Sequence, residues 1–128
     1  MSNFIGRFYF KLTDSKNLIG EFSNNHKKCN RNYAESSDRI IPDVCHGNFV
    51  GEYYHTWFDD FDPNELGGGF AKLKIELKSE CANIYSLNWW LYEKDGKTLG
   101  EQIFWGEGML CDGMLIGDYR NFKDIPTS

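Results

Sequence analysis

Apolar and polar residues alternate at every second position along much of this chain, a period that is typical of β-strands with one buried face. Residues 4–12 place Phe8 and Phe10 on one face and Arg7 on the other, and residues 71–78 alternate without a break. The same pattern predicts further strands at 18–23, 48–58, 83–93, 98–111 and 114–121.

Two Asp-Gly pairs separate the last three predicted strands. Asp95-Gly96 and Asp112-Gly113 each lie between apolar segments, and Asp-Gly supplies the positive φ angles that type I′ hairpin turns require. The sequence therefore predicts an antiparallel meander over the final third of the chain, closed by two tight turns.

Two stretches do not follow the strand pattern. Residues 23–47 are polar and irregular, which predicts a long loop, apart from a short strand near 39–41. Residues 62–66 read as a single helical turn, with Asp62 as N-cap and Pro63 at the first helical position. The glycines at 67–69 follow it, and without a P-loop lysine they indicate a flexible loop rather than a phosphate cradle.

Composition supports an all-β chain and narrows its partners. Thirteen glycines and an aromatic content of 16% suit short strands joined by tight turns. A net charge of −5 argues against electrostatic binding to nucleic acid. Neither a long apolar run nor a signal peptide is evident, so we expect a single cytoplasmic domain over residues 1–128 with no membrane association.

A short pattern recurs four times: two apolar residues, a glycine, a charged residue and an aromatic. Glycine within a strand permits strong coiling, and an aromatic side chain from the adjacent strand can cover the bare backbone. This favours a closed antiparallel barrel of about seven or eight strands, whose interior is filled by side chains or holds one small ligand. The four occurrences are Phe4-Ile5-Gly6-Arg7-Phe8, Leu18-Ile19-Gly20-Glu21-Phe22, Phe49-Val50-Gly51-Glu52-Tyr53 and Leu115-Ile116-Gly117-Asp118-Tyr119.

These segments resemble those of known barrel families. The segment 4–8, followed by Asp14-Ser15-Lys16-Asn17-Leu18, resembles the opening of fatty-acid-binding proteins, and Gly6-Arg7-Phe8 is similar to the Gly-x-Trp start of lipocalins. Segment 49–53 resembles an avidin strand whose tyrosine contacts biotin, and Tyr53 is the residue that matches it. All three families are calycin-type up-and-down barrels, so the resemblance implies a small molecule held at one end of the barrel.

Strand 48–58 offers the best candidate pocket wall. Its odd positions include Tyr53, His55 and Trp57, and an apolar surface with a few polar groups is the usual composition of a small-molecule site. The alternative is that the aromatic residues are core and that His55 is hydrogen-bonded or at the rim.

Strand 83–93 is apolar or aromatic on both faces, so one face cannot simply meet water. Trp90 shares a face with Ser86 and Asn88, and Trp105 in the next strand lies opposite Phe104 in the same way. Either these residues pack on a second subunit, which predicts a homodimer or larger assembly, or they line the pocket. The predicted ligand-binding residues are Tyr53, His55, Trp57, Ser86, Asn88, Trp90, Trp105 and Tyr119.

Metal and catalytic signatures are weak. The four cysteines form no Cys-x-x-Cys pair, and the arrangement His26-x-x-Cys29 with Cys45-His46 has an unorthodox spacing for zinc, so no metal or cofactor is predicted.

We therefore expect a small-molecule binding barrel for a largely apolar or aromatic ligand. The alternatives are a barrel enzyme of the isomerase or hydro-lyase type, using His55 with a carboxylate such as Glu107 or Asp118, and a protein interaction module.

Overall fold

A computed structural model describes residues 4–25, 32–40, 49–57, 69–79 and 83–124. Within them the chain forms eight strands and a final turn of 3-10 helix. These are β1 Gly6–Leu12, β2 Leu18–Asn24, β3 Tyr33–Arg39, β4 Gly51–Trp57, β5 Gly69–Ser79, β6 Ile84–Tyr92, β7 Leu99–Cys111, β8 Met114–Asn121 and η1 Phe122–Asp124.

The eight strands close into one antiparallel barrel. Each strand pairs with the next in the sequence, and β8 returns to β1 with Gly6 opposite Tyr119. The predicted all-β fold with a single up-and-down antiparallel barrel is therefore confirmed. In the described part of the chain, no helix is long and apolar enough to cross a lipid bilayer.

The two Asp-Gly hairpins differ in their turns. Asp112 and Gly113 both have positive φ, 52° and 79°, as a type I′ turn requires. At the other hairpin Gly96 has a φ of 71° while Asp95 does not have a positive φ. The carboxylate of Asp95 instead accepts hydrogen bonds from the backbone N–H groups of Lys97 and Thr98. The type I′ prediction is wrong here because the side chain of Asp95 stabilises a longer turn.

The loop predicted over residues 23–47 contains a strand, β3. The prediction was wrong because the inward positions of this strand include Glu35 and Ser37, so it lacks the apolar alternation that marks the other strands. The short strand predicted near 39–41 overlaps β3 only at Arg39.

Inward-facing side chains from all the strands form the core. Glycines allow the strands to approach closely: a Cβ on Gly20 would lie 1.8 Å from the backbone oxygen of Tyr9, and a Cβ on Gly6 would meet the ring of Tyr119 at 2.2 Å. The second contact is the aromatic covering that the recurring pattern predicts. The buried apolar residues are Phe8, Phe10, Leu18, Phe22, Tyr33, Phe49, Tyr53, Ala71, Leu73, Ile75, Tyr85, Leu87, Trp89, Leu115 and Tyr119.

Several sequence predictions lie outside the described residues. They are the helical turn at 62–66, the first two glycines of the 67–69 run, and the residues His26, Cys29, Cys45 and His46 that were weighed as metal ligands.

Candidate functional site

A cluster of three polar side chains lies inside the barrel. β3 contributes Glu35 and Ser37, which share a face because they are two residues apart, and the neighbouring strand β4 contributes His55 opposite Ser37. Their relative exposures are 8%, 1% and 2%. Since buried polar groups require hydrogen-bond partners, the contacts of this cluster define its chemistry.

The imidazole of His55 joins the other two residues. Its Nδ1 lies 2.6 Å from the Ser37 hydroxyl, and its Nε2 lies 3.3 Å from Oε2 of Glu35. The second carboxylate oxygen, Oε1, is buried and has no hydrogen-bond partner among the described residues. One acceptor of the cluster is therefore left unsatisfied.

The contact with Ser37 favours one tautomer of His55. Within the described residues, Nδ1 is the partner of the Ser37 hydroxyl, so the buried hydroxyl hydrogen is satisfied when Ser37 donates to Nδ1. In that tautomer the Nε2 hydrogen points to Glu35.

Burial also acts on the carboxyl group of Glu35. Loss of hydration raises the pKa of Glu35, and the hydrogen bond and electrostatic attraction of His55 oppose this rise without offsetting it. A carboxylate in this position is costly, and a partner for Oε1 would lower that cost.

Aromatic rings surround the cluster. Trp57 stacks on the His55 ring with centroids 5.8 Å apart, while Phe10 and Trp89 meet the same ring edge-on at 5.8 and 6.2 Å. Trp89 in turn contacts the rings of Phe8, Phe104 and Tyr119. The wall around Glu35 and His55 is therefore aromatic, as a site for an apolar or aromatic molecule requires.

Both ends of the barrel interior contain residues with some accessible surface. Toward the end where β1 finishes, Leu18, Leu73, Ile75 and Leu115 are 0–1% exposed, whereas Phe49 and Tyr85 are 4% and 6% exposed. Side chains toward the opposite end, where β1 begins and β4 finishes, keep 4–8% of their surface accessible; we call this the Trp57 end. These side chains are Phe8, Phe22, Tyr33, Glu35, Trp89 and Tyr119. A water-sized sphere thus still touches part of the wall around Glu35.

Four of the predicted ligand-binding residues face the barrel interior. His55 and Trp57 lie together beside Glu35, and Tyr119 belongs to the same aromatic wall. Tyr53 lies deeper, is fully buried, and donates its hydroxyl hydrogen to the backbone oxygen of Phe49 at 2.6 Å. Its hydroxyl therefore already has a partner within the fold.

The other four predicted residues lie on the outer face of the barrel. Ser86, Asn88 and Trp90 alternate with the buried residues Tyr85, Leu87 and Trp89, so the pleat turns them outward. Trp105 pairs with Asn88 on the same outer face. These four residues therefore do not line the interior with His55, and their part in ligand binding stays a prediction.

The carboxylates predicted to assist His55 are also on the outside. Glu107 pairs with Lys78, and Asp118 lies 3.4 Å from the guanidinium of Arg120. The carboxylate that contacts His55 is Glu35, which lies in the segment predicted to be a loop. Its strand carries no hydrophobic signal that could have identified it.

Two surface depressions on the outer wall are lined by described residues. One, of about 290 Å³, brings together Ser86, Asn88, Trp105 and Glu107, so three of the predicted residues do meet there. The other, of about 640 Å³, is lined by residues of β1 to β4 and includes Gly20, Glu35 and Trp57 beside Tyr9, Ile19 and Ser36. Both are open grooves, and the larger one borders the residue whose carboxylate contacts His55.

A scan against protein-family models, a search of curated proteins and a search of solved structures found no match to this chain. Among the described residues, no group of three or more His, Cys, Asp or Glu side chains is arranged to hold a metal ion.

Proposed function

We propose that this protein binds a small, largely apolar or aromatic molecule inside the barrel at the Trp57 end, with a hydrogen-bond donor of the ligand directed to Glu35. The resemblance to calycin-type barrels agrees with a ligand at one end. The aromatic wall supplies the apolar contact area, and Glu35 supplies the orienting polar contact.

The observation that carries this proposal is the unpaired carboxylate oxygen. Oε1 of Glu35 is buried without a partner in the described residues, on a strand whose next inward residue, Tyr33, and its neighbour Phe22 are 6% and 7% exposed. An unsatisfied buried acceptor costs about 1–3 kcal/mol. A ligand that donates a hydrogen bond to it recovers that free energy, and such strain in a free protein is characteristic of binding sites.

The four tryptophans can report whether a ligand binds inside the barrel or on its outer wall. Trp57 and Trp89 face the interior, whereas Trp90 and Trp105 lie on the outer wall. In ¹⁵N-labelled protein, indole is expected to shift the side-chain N–H resonances of Trp57 and Trp89 and to leave those of Trp90 and Trp105 in place.

Indene is the matched control, because it has the shape of indole and no N–H group. We expect indene to bind more weakly than indole. Indole shifts confined to the two outer tryptophans, or no shifts at millimolar indole, would reject an interior site.

A second candidate function rests on the contact between His55 and Glu35. A buried carboxylate with a raised pKa beside an imidazole is a recognised arrangement for proton transfer. In such a reaction, the carboxylate of Glu35 would take a proton from carbon and return it to the same or a neighbouring atom, as in an isomerase. Ser37 lies behind His55 and is 1% exposed, which argues against its use as a nucleophile.

The enzyme reading is tested with 2-indanone, an enolisable ketone of matching shape, in deuterated buffer. Faster exchange of its α-hydrogens in the presence of the protein, abolished in Glu35→Gln, would establish proton transfer. Exchange at the buffer rate would reject it and leave binding intact.

A further inference from the structure

We propose that the donor recognised by Glu35 is a protonated amine, so that the site selects an aromatic or apolar molecule carrying an organic ammonium group. This inference rests on the proposed binding function and specifies the chemical class of the ligand.

The first argument is the unsatisfied carboxylate inside the barrel. When Ser37 donates to Nδ1 of His55, the Nε2 hydrogen points to Oε2 of Glu35. The carboxylate then has a hydrogen bond at Oε2 and none at Oε1, and no lysine or arginine of the described residues forms an ion pair with it. An ammonium group supplies both a donor for Oε1 and the missing positive charge, whereas a neutral donor supplies only the hydrogen bond.

The second argument is the set of rings beside the carboxylate. Trp57 lies directly across from Glu35 on β4, and Tyr33 is the next inward residue along β3. Phe22, on β2, pairs with Tyr33, and the two rings are tilted relative to each other with centroids 5.7 Å apart. Aromatic faces attract cations, tryptophan most strongly, and this attraction strengthens when the cation is desolvated.

The third argument concerns the remaining polar groups that face the interior. Arg39 is four residues from Glu35, or about 13 Å along the strand. Its guanidinium donates to the backbone oxygens of Lys16 and Val50 at the opposite end of the barrel, so it does not neutralise Glu35. The hydroxyl of Tyr119 accepts a hydrogen bond from the side chain of Asn24 and carries no charge.

The β2 residue opposite Glu35 carries no side chain. It is Gly20, whose Cβ position is filled by the backbone of Tyr9 on β1. Gly20 and Glu35 both line the groove of about 640 Å³. A ligand carboxylate or phosphate brought next to Glu35 would meet a buried carboxylate in a low-dielectric environment and be rejected.

Three indole derivatives separate the possibilities. Tryptamine carries the ammonium, 3-propylindole has the same shape without the charge, and indole-3-propionate carries a negative charge. By isothermal titration calorimetry at pH 7.5, we expect tryptamine to bind about tenfold or more tightly than 3-propylindole. Indole-3-propionate is expected to bind more weakly than either.

Glu35→Gln is expected to abolish the preference for tryptamine, while the matched exposed variant Glu101→Gln retains it. In the wild type, tryptamine affinity should fall on acidification as Glu35 takes up a proton, and that of 3-propylindole should change little. The wild-type titration does not depend on the folding of any variant.

Equal affinity for tryptamine and 3-propylindole, or a preference that survives in Glu35→Gln, would overturn the ammonium inference and leave the proposed binding function standing. Failure of indole, tryptamine and 3-propylindole alike to bind would overturn both.

Discussion

Replacing Glu35 by glutamine is expected to stabilise the ligand-free protein at neutral and alkaline pH. The substitution removes a buried charge whose Oε1 has no partner in the described residues. The glutamine amide oxygen can still accept the Nε2 hydrogen of His55, which lies 3.3 Å from the present Oε2. Because a charge is more costly to bury than a neutral amide, we expect the free energy of unfolding to rise by about 1–2 kcal/mol.

The pH dependence follows from the raised pKa of Glu35. Since the folded state binds this proton more tightly than the unfolded state, the contribution of Glu35 to stability is complete below the unfolded pKa, about 4.3, and is lost as pH rises through the folded pKa. The advantage of Glu35→Gln should therefore be largest at pH 8 and shrink toward zero near pH 4.

Urea denaturation followed by circular dichroism, at half-unit pH intervals from 4 to 8, measures this difference. Glu101→Gln, at an exposed position of β7, is the matched control and should track the wild type at every pH. The reasoning would be refuted if Glu35→Gln were less stable than wild type at pH 8, or if its advantage did not vary with pH. A gain in stability combined with loss of tryptamine binding would show that the unpaired carboxylate lowers the stability of the fold and is required for binding.

Three further substitutions test other parts of the structure. Ser37→Ala removes the donor to His55 and should destabilise the fold by roughly 1–3 kcal/mol, measured by urea denaturation; an unchanged midpoint would exclude the assigned hydrogen bond. Gly20→Ala should lower the free energy of unfolding by at least about 1–3 kcal/mol, because its Cβ would lie 1.8 Å from a backbone oxygen. Gly100→Ala is the control: its Cβ would meet no atom closer than 3.2 Å, so the free energy of unfolding should fall less. Trp90→Lys should yield a folded monomer if the predicted homodimer forms through the outer aromatic surface, and an unchanged sedimentation coefficient would count against that interface.

The barrel could be anticipated because most of its inward positions are apolar. Strands such as β5 alternate Ala71, Leu73 and Ile75 with lysines, and this pattern survives in the fold because burial of the apolar face is what stabilises the strand. The recurring glycines indicated that the sheet closes into a barrel. At the closing pair of strands, the ring of Tyr119 on β8 occupies the place that a side chain at Gly6 on β1 would need.

A count of strands could have revealed the missing element. In a closed barrel whose neighbouring strands are all antiparallel, direction reverses at each step, so the last strand is antiparallel to the first only when the number is even. The seven strands predicted from alternation would by themselves have made the closing pair parallel, so an eighth strand was required. The short strand predicted near 39–41 lies in the correct segment, 23–47, but it overlaps β3 only at Arg39.

Hydrophobic patterning by itself determined the all-β class, most strand positions and the inward direction of His55 and Trp57. This is possible because alternate residues of a strand face opposite sides of the sheet, so the buried face can be recognised from neighbouring residues alone. Tertiary structure alone decided the partners of His55. Glu35 and Ser37 reach it only through the pairing of β3 with β4, and their strand is polar where the others are apolar. It also decided which face of β6 points inward, since both faces are apolar and a shift of one residue would exchange Trp89 for Trp90. Local sequence records which residues favour burial, whereas the register between distant strands decides which of them meet.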